Sequence, residues 1–146
     1  MISHVFLGIS DFDRAFVFYS KIMAGLGLTL KFCDATKGWA GWVCAGSPRP
    51  IFVIGQPFDG NPSTPGNGQM VALLAPSREV VRGSHATALA LGGTCEGAPG
   101  LRPHYHPDYY GAYFRDLDGN KLCICCHDAT ARSAADAARA ESKKGC

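Results

Sequence analysis

No apolar stretch in this chain reaches membrane-spanning length, and its N-terminus lacks a charged region followed by a long apolar core. Both absences argue against a membrane partner and an export signal, and predict a cytosolic protein. Charge of one sign is also missing: 14 Lys and Arg stand against 12 Asp and Glu, for a net charge of +2, mixed along most of the chain. That balance gives no electrostatic case for nucleic acid. Charged residues make up 18% and hydrophobic ones 47%, a composition that excludes intrinsic disorder and supports one domain or two fused half-domains in 146 residues. The glycine-rich Gly66-Asn67-Gly68 lacks the lysine and the strand context of a phosphate loop. Cysteine is not scarce, but its count of seven is odd, and several sit in apolar strand-like runs. Reduced, buried thiols are expected rather than a disulfide framework.

What is present is a duplication. Ile2 to Ile9 is an extended apolar run followed by an acidic helix start, and Gln69 to Ala75 repeats the design. His4 falls opposite Met70, Val5 opposite Val71, Ala24 opposite Ala90 and Gly27 opposite Gly93, at a constant offset of 66 positions. Two such copies can enclose one cavity, whereas a single copy leaves its sheet half uncovered. In the first half the pattern predicts a strand over 2–9 and a helix capped by Ser10 or Asp11, running to about Gly25. Phe12, Phe16, Tyr19, Met23 and Leu26 form its buried stripe. Strands near 28–34, 39–45 and 50–56 follow, the last two as a hairpin. Three prolines, three glycines and two asparagines mark 57–68 as a linker.

The second half repeats the order: a strand over 69–75, then a helix capped by Ser77 from Arg78 to about Leu91. A short strand near 94–98 leads to a loop with His104, Tyr105 and His106, and a strand runs from Tyr109 to Arg115. Asp116 to Asn120 forms a turn whose Asp-Gly-Asn sequence permits positive φ, and Lys121 to His127 is the last strand. The boundaries are therefore 1–56 and 69–127 for the modules, 57–68 for the linker and 128–146 for an alanine-rich appendage that could form a surface helix. Cys123-x-Cys125-Cys126-His127 invites a zinc reading, but a strand sends Cys123 and Cys125 to one face and Cys126 to the other, and no second clustered ligand pair exists.

The closing segment Tyr109 to Leu122, with Asp116-Leu117-Asp118-Gly119-Asn120 at its turn, resembles the closing hairpin of the vicinal oxygen chelate superfamily, which includes glyoxalase I, extradiol dioxygenases and bleomycin resistance proteins. Leu117 stands where that family has proline. His4 on its apolar strand, with Asp11, Ala15, Phe18 and Tyr19 on the next helix, is similar to the family's opening. The resemblance covers about residues 1–127. It implies an α+β fold of two βαβββ modules whose mixed sheet curls around a shared pocket, and a homodimer.

Metal-using members hold a divalent ion with histidines from the opening strand of each half and glutamates from the closing strands. The resemblance maps these positions to His4, Met70, Cys123 and a residue nearest Phe52 or Ile54. One imidazole, one thioether and one thiol make a poor centre for a hard ion. The expectation is therefore no cofactor, with a divalent metal at His4 and Cys123 as the alternative. The pocket candidates are His4, Phe52, Met70, Tyr105, Tyr110, Cys123 and Cys125; no catalytic residue is assigned. Of Tyr109, Tyr110 and Tyr113, alternation on a strand sends some to the cavity, and aromatic walls favour a flat or apolar small molecule. Two functions stay open: a glyoxalase-like lyase, isomerase or dioxygenase acting on a small oxygenated or aromatic molecule, and a metal-free binder that sequesters a drug or metabolite.

Overall fold

A computed structural model describes residues 1–128. Its elements run β1 (His4–Gly8), α1 (Phe12–Gly25), β2 (Leu28–Asp34), β3 (Trp39–Cys44), β4 (Ile51–Gly55), β5 (Val71–Leu74), α2 (Arg78–Ala90), β6 (Thr94–Leu101), β7 (Tyr110–Arg115) and β8 (Lys121–Cys126). These are the two expected βαβββ modules. Each has its own four-stranded mixed sheet, ordered β1-β4-β3-β2 and β5-β8-β7-β6. The opening strand of each module pairs in parallel with the closing strand, His4 beside Ile51 and Val71 beside Leu122. The expectation of a helical appendage falls beyond the described residues.

The duplication extends to the helix caps. The Asp11 side chain accepts from the Arg14 amide, and Ser77, 66 positions on, accepts from the Val80 amide. Each cap satisfies one of the orphan donors of a first helical turn. One strand departs from expectation. β6 reaches Leu101 rather than ending near 98, passing through Gly97, Pro99 and Gly100 with two irregularities in its pairing to β7. As an edge strand it tolerates a proline, whose missing donor faces away from the ladder.

The larger of two buried clusters lies between the helices and the sheets. Ile9, Phe18, Tyr19, Ile22, Met23 and Ile54 from the first module join Val81, Phe114, Leu122 and Ile124 from the second. Phe18 on α1 meets Phe114 on β7 edge-on, with ring centres 6.2 Å apart. The first helix thus packs on both modules. Tyr19 carries a polar group into this core: its hydroxyl donates to Asp116 Oδ2 at 2.5 Å. The Asp116 carboxylate also accepts from the backbone amides of Asp118 and Asn120 and from the Asn120 side chain. Burial and then the adjacent carboxylate push the Tyr19 hydroxyl well above its ordinary pKa, so it remains the proton donor.

The same turn reaches back across the modules. Asn120 Nδ2 donates to the Gly8 carbonyl at 2.9 Å, and Asp118 Oδ1 accepts from the Ser10 amide at 2.9 Å. Gly119 has φ +88°, the left-handed conformation expected of the Asp-Gly-Asn turn. Replacing Tyr19 with Phe removes a buried hydrogen bond to a charged acceptor and is expected to cost about 1.5–3 kcal/mol. Denaturant unfolding checks this, as a lowered midpoint with an unchanged slope.

Candidate functional site

Alternation along each strand separates a helix-facing side from an open side. On β1, Val5 and Leu7 turn towards the helices, and His4 and Phe6 turn away. Register places Ile51 and Val53 of β4 beside them on the open side. In the second sheet the open side carries Ala72 and Leu74 of β5, Cys123 and Cys125 of β8, and Gly111 and Tyr113 of β7, while Leu122, Ile124 and Cys126 fill the core. β1 and β5 line opposite walls of a cavity of ≈ 210 Å³, with Phe6, Met70, Asn120 and Lys121 among its lining residues.

Two of the expected pocket residues lie elsewhere. Phe52 occupies the helix-facing side of β4, its ring 5.4 Å from that of Tyr19. The register that sets His4 opposite Ile51 sends Phe52 to the other side with Val5. Tyr110 also faces the helices, where the guanidinium groups of Arg78 and Arg82 lie 5.4 and 5.8 Å from its ring. Tyr109 and Tyr113 take the open side instead. His4, Met70, Tyr105, Cys123 and Cys125 are placed there or at its margin, though not as one cluster. His4 is exposed and bonded to Ser3 Oγ at 3.3 Å, Met70 is half exposed, and Cys123 is fully buried.

The donor chemistry of these positions bears on whether they suit a metal. The open side of β4 offers Ile51 and Val53 and no carboxylate, the residue before β5 is Met70, and β8 offers a buried thiol. This set does not fit a hard divalent ion. Among the described residues no group of three or more His, Cys, Asp and Glu is placed to hold a metal ion.

The densest chemistry is on the second sheet. The Tyr109 hydroxyl lies 3.5 Å from Cys123 Sγ. Cys125 Sγ lies 3.7 Å from His127 Nε2, and His127 Nδ1 is 2.8 Å from His106 Nε2. Tyr105 packs on Tyr109 with ring centres 4.9 Å apart. Arg102 and Lys121 bring positive charge within 5.5 and 5.8 Å of the Tyr113 ring. The Cys123 thiol is lowered to about 7, first by the hydrogen bond from the Cys125 thiol and then, against the opposing effect of burial, by the Tyr109 and Tyr113 hydroxyls and the Arg102 charge. Cys125 is driven the other way, first by the same bond and then by burial. Burial and the Cys123 contact also raise Tyr109, which stays a phenol and a donor.

Reading pocket residues one at a time missed Tyr109, Tyr113 and His127 as partners of the thiols. The available signal was the spacing of Cys123, Cys125 and His127, which sets three side chains on one side of a strand. Pairing across β7 was needed to add the tyrosines.

The family model of the Glyoxalase/Bleomycin resistance protein/Dioxygenase superfamily matches residues 1–124. A glyoxalase/bleomycin resistance protein from Albidiferax ferrireducens T118 is 36% identical, over 86% of this chain and 98% of that one, with a TM-score of 0.77. A glyoxalase-related enzyme from Fulvimarina pelagi is 19% identical, over 86% and 87% of the two chains, with a TM-score of 0.64. A glyoxalase/bleomycin resistance protein/dioxygenase family enzyme from Burkholderia phytofirmans PsJN is 17% identical, over 86% and 98%, with a TM-score of 0.62. No curated protein matches the chain.

The ultraviolet absorbance of thiolate, followed against pH, is expected to rise as one thiol ionises near pH 7. Cys123→Ser removes that step. Tyr109→Phe moves it to higher pH, because a donor that favours the charged form is gone.

Proposed function

The chain belongs to the Glyoxalase/Bleomycin resistance protein/Dioxygenase superfamily, and on that premise we propose that it binds a small neutral or anionic aromatic or oxygenated molecule on the open side of its sheets, without a metal. The observation that carries this reading is the replacement of the family's ligand positions. Of the four positions the resemblance assigns, only His4 carries an imidazole; Met70, Cys123 and an apolar residue nearest Phe52 or Ile54 stand at the others, and the open side of β4 beside His4 holds only Ile51 and Val53. What replaces the donors is a surface suited to flat ligands. Tyr105, Tyr109 and Tyr113 supply broad contact area at little entropic cost. Arg102 and Lys121 beside them favour a neutral or negative partner over a cationic one.

Sequestration of a drug or metabolite follows directly from such a surface, and the protein acts in this reading as a cytosolic homodimer. The described cysteines are free, which agrees with a reducing compartment. Among the described residues no helix is long and apolar enough to cross a membrane. Phe6, Met70 and Leu74 are exposed on the open side and its margin, and a second copy would cover apolar area there.

Elemental analysis of the purified protein tests the metal-free part. The expected outcome is no stoichiometric metal, and the same content in a His4→Ala variant; stoichiometric metal lost in that variant would restore chelate chemistry. Titration with phenol-sized neutral aromatics, followed by tyrosine fluorescence, tests the binding part. A saturable change is expected in the native chain, weakened about tenfold or more in Tyr109→Ala, since a stacked aromatic contact contributes roughly 0.5–1.5 kcal/mol beyond its buried area.

A further inference from the structure

Gly97 and Gly100 of β6 make a seat for the guanidinium of Arg102. Gly97 lies opposite Tyr113 in the ladder, so both belong to the open side. A Cβ on Gly97 would stand 3.0 Å from Tyr113 Cδ2 and 3.5 Å from Arg102 Nη2, and one on Gly100 would stand 2.9 Å from Arg102 Nη1. The guanidinium thus fills room that side chains at these positions would take. Its Nη2 donates to the Ala98 carbonyl at 2.8 Å and its Nη1 to the Leu101 carbonyl at 3.1 Å, while Cζ is 5.5 Å from the centre of the Tyr113 ring. These bonds fix the orientation of the guanidinium and leave its remaining N–H donors for a partner. Carbonyls and a ring face carry only partial charges, so they orient the cation without neutralising it.

The nearby carboxylates are engaged elsewhere. Glu96 accepts from Arg115 at 2.7 Å and lies 3.7 Å from Lys121 Nζ, and Asp108 lies 3.8 Å from Arg78. Among the described residues no carboxylate forms an ion pair with Arg102. Backbone bonds tie the seat to the tyrosines: the Arg102 amide donates to the Tyr109 carbonyl at 2.8 Å, and the Tyr105 amide to the Arg102 carbonyl at 3.0 Å. Gly111 admits the Tyr109 ring as Gly97 admits Arg102, since a Cβ there would lie 2.9 Å from Tyr109 Cε1. An oriented, unpaired cation and an aromatic platform are therefore carried by one closed loop.

We infer that Arg102 is the anion anchor of the open side, and that the ligand taken there is an aromatic carboxylate of the benzoate class. The inference rests on the binding reading above and narrows its ligand to one class. The carboxylate accepts from the unspent donors of Arg102, whose planar fork matches a planar acceptor. Because the side chain is already held, little rotamer freedom is lost on binding. Lys121, which shares Glu96 with Arg115, adds attraction through the local potential. The aromatic body rests on Tyr105 and Tyr109.

Calorimetric titration of the full chain with benzoate and with benzamide, its uncharged isostere, tests this. Benzoate is expected to bind about tenfold or more tightly, the scale of a hydrogen bond to a charged group, with the advantage shrinking as salt is raised. In Arg102→Gln the advantage disappears while benzamide affinity is unchanged, a split that a merely structural role for Arg102 would not produce. Gly100→Ala keeps the charge but pushes the guanidinium out of its seat, and is expected to reduce the preference; it decides the matter should Arg102→Gln fail to fold. Equal binding of the two probes by the native protein, or a benzoate preference that survives these variants, overturns the anchor alone. In that case benzamide binding weakened by Tyr109→Ala keeps the open-side reading in place. Binding of neither probe overturns the surface on which the anchor depends.

Discussion

The buried carboxylate of Asp116 organises the contact between the two halves of this protein. A carboxylate taken out of water is costly unless its lone pairs are met, and here four donors meet them: the Tyr19 hydroxyl, two backbone amides and the Asn120 side chain. Tyr19 belongs to the helix of the first module and Asp116 to the closing turn of the second, 97 positions apart. Asn120 then spends its second amide hydrogen on the Gly8 carbonyl, and Asp118 holds the Ser10 amide. One turn thus fixes the end of β1 and the start of α1 relative to β7 and β8. The cavity between β1 and β5 exists because these elements are held in that relation.

The two faces of the sheets differ in what they present. Towards the helices, both sheets present the apolar residues that a shared core requires, and Phe18 and Phe114 join them across the module boundary. A methylene lost there leaves a void, so volume constrains what can occupy the positions. Towards the open side packing is looser in part: Ile51, Val53 and Cys123 are buried there, but His4, Phe6, Met70 and Leu74 are exposed. On that side His4, Met70, Cys123, Ile51 and Val53 are an imidazole, a thioether, a thiol and two aliphatic side chains, a donor set that does not fit a hard divalent ion.

The thiol pair shows how much of a side chain's chemistry is set by its neighbours. Cys123 and Cys125 are two positions apart in the same strand, both buried, yet their acidities are driven in opposite directions. Burial alone would raise both. The difference arises because one sulfur accepts from its partner thiol and from tyrosine hydroxyls, whereas the other donates. Cys125 lies beside His127, whose ring is in turn fixed by His106.

Much of the fold was legible in the chain. The 66-residue offset gave the paired modules, the 3.6-residue and 2-residue periods gave the helices and strands, and Asp11 and Ser77 marked both helix starts, because caps, periods and turns are local properties of a sequence. The alternation on β8 likewise put Cys123 and Cys125 together and Cys126 in the core. The partners of a face were not legible, because they depend on which residues register sets opposite one another. Phe52 and Tyr110 read as cavity residues, but pairing between β1 and β4, and between β7 and β8, turned both towards the helices and left Tyr109 and Tyr113 over the thiols. Nor does anything local in Gly111 foretell that its missing side chain makes room for Tyr109, or anything in Asp116 that a tyrosine 97 positions earlier supplies its donor. The sequence determined the duplicated modules; tertiary structure alone decided which side chains meet, since contact between distant segments follows from strand register and packing rather than from any neighbour along the chain.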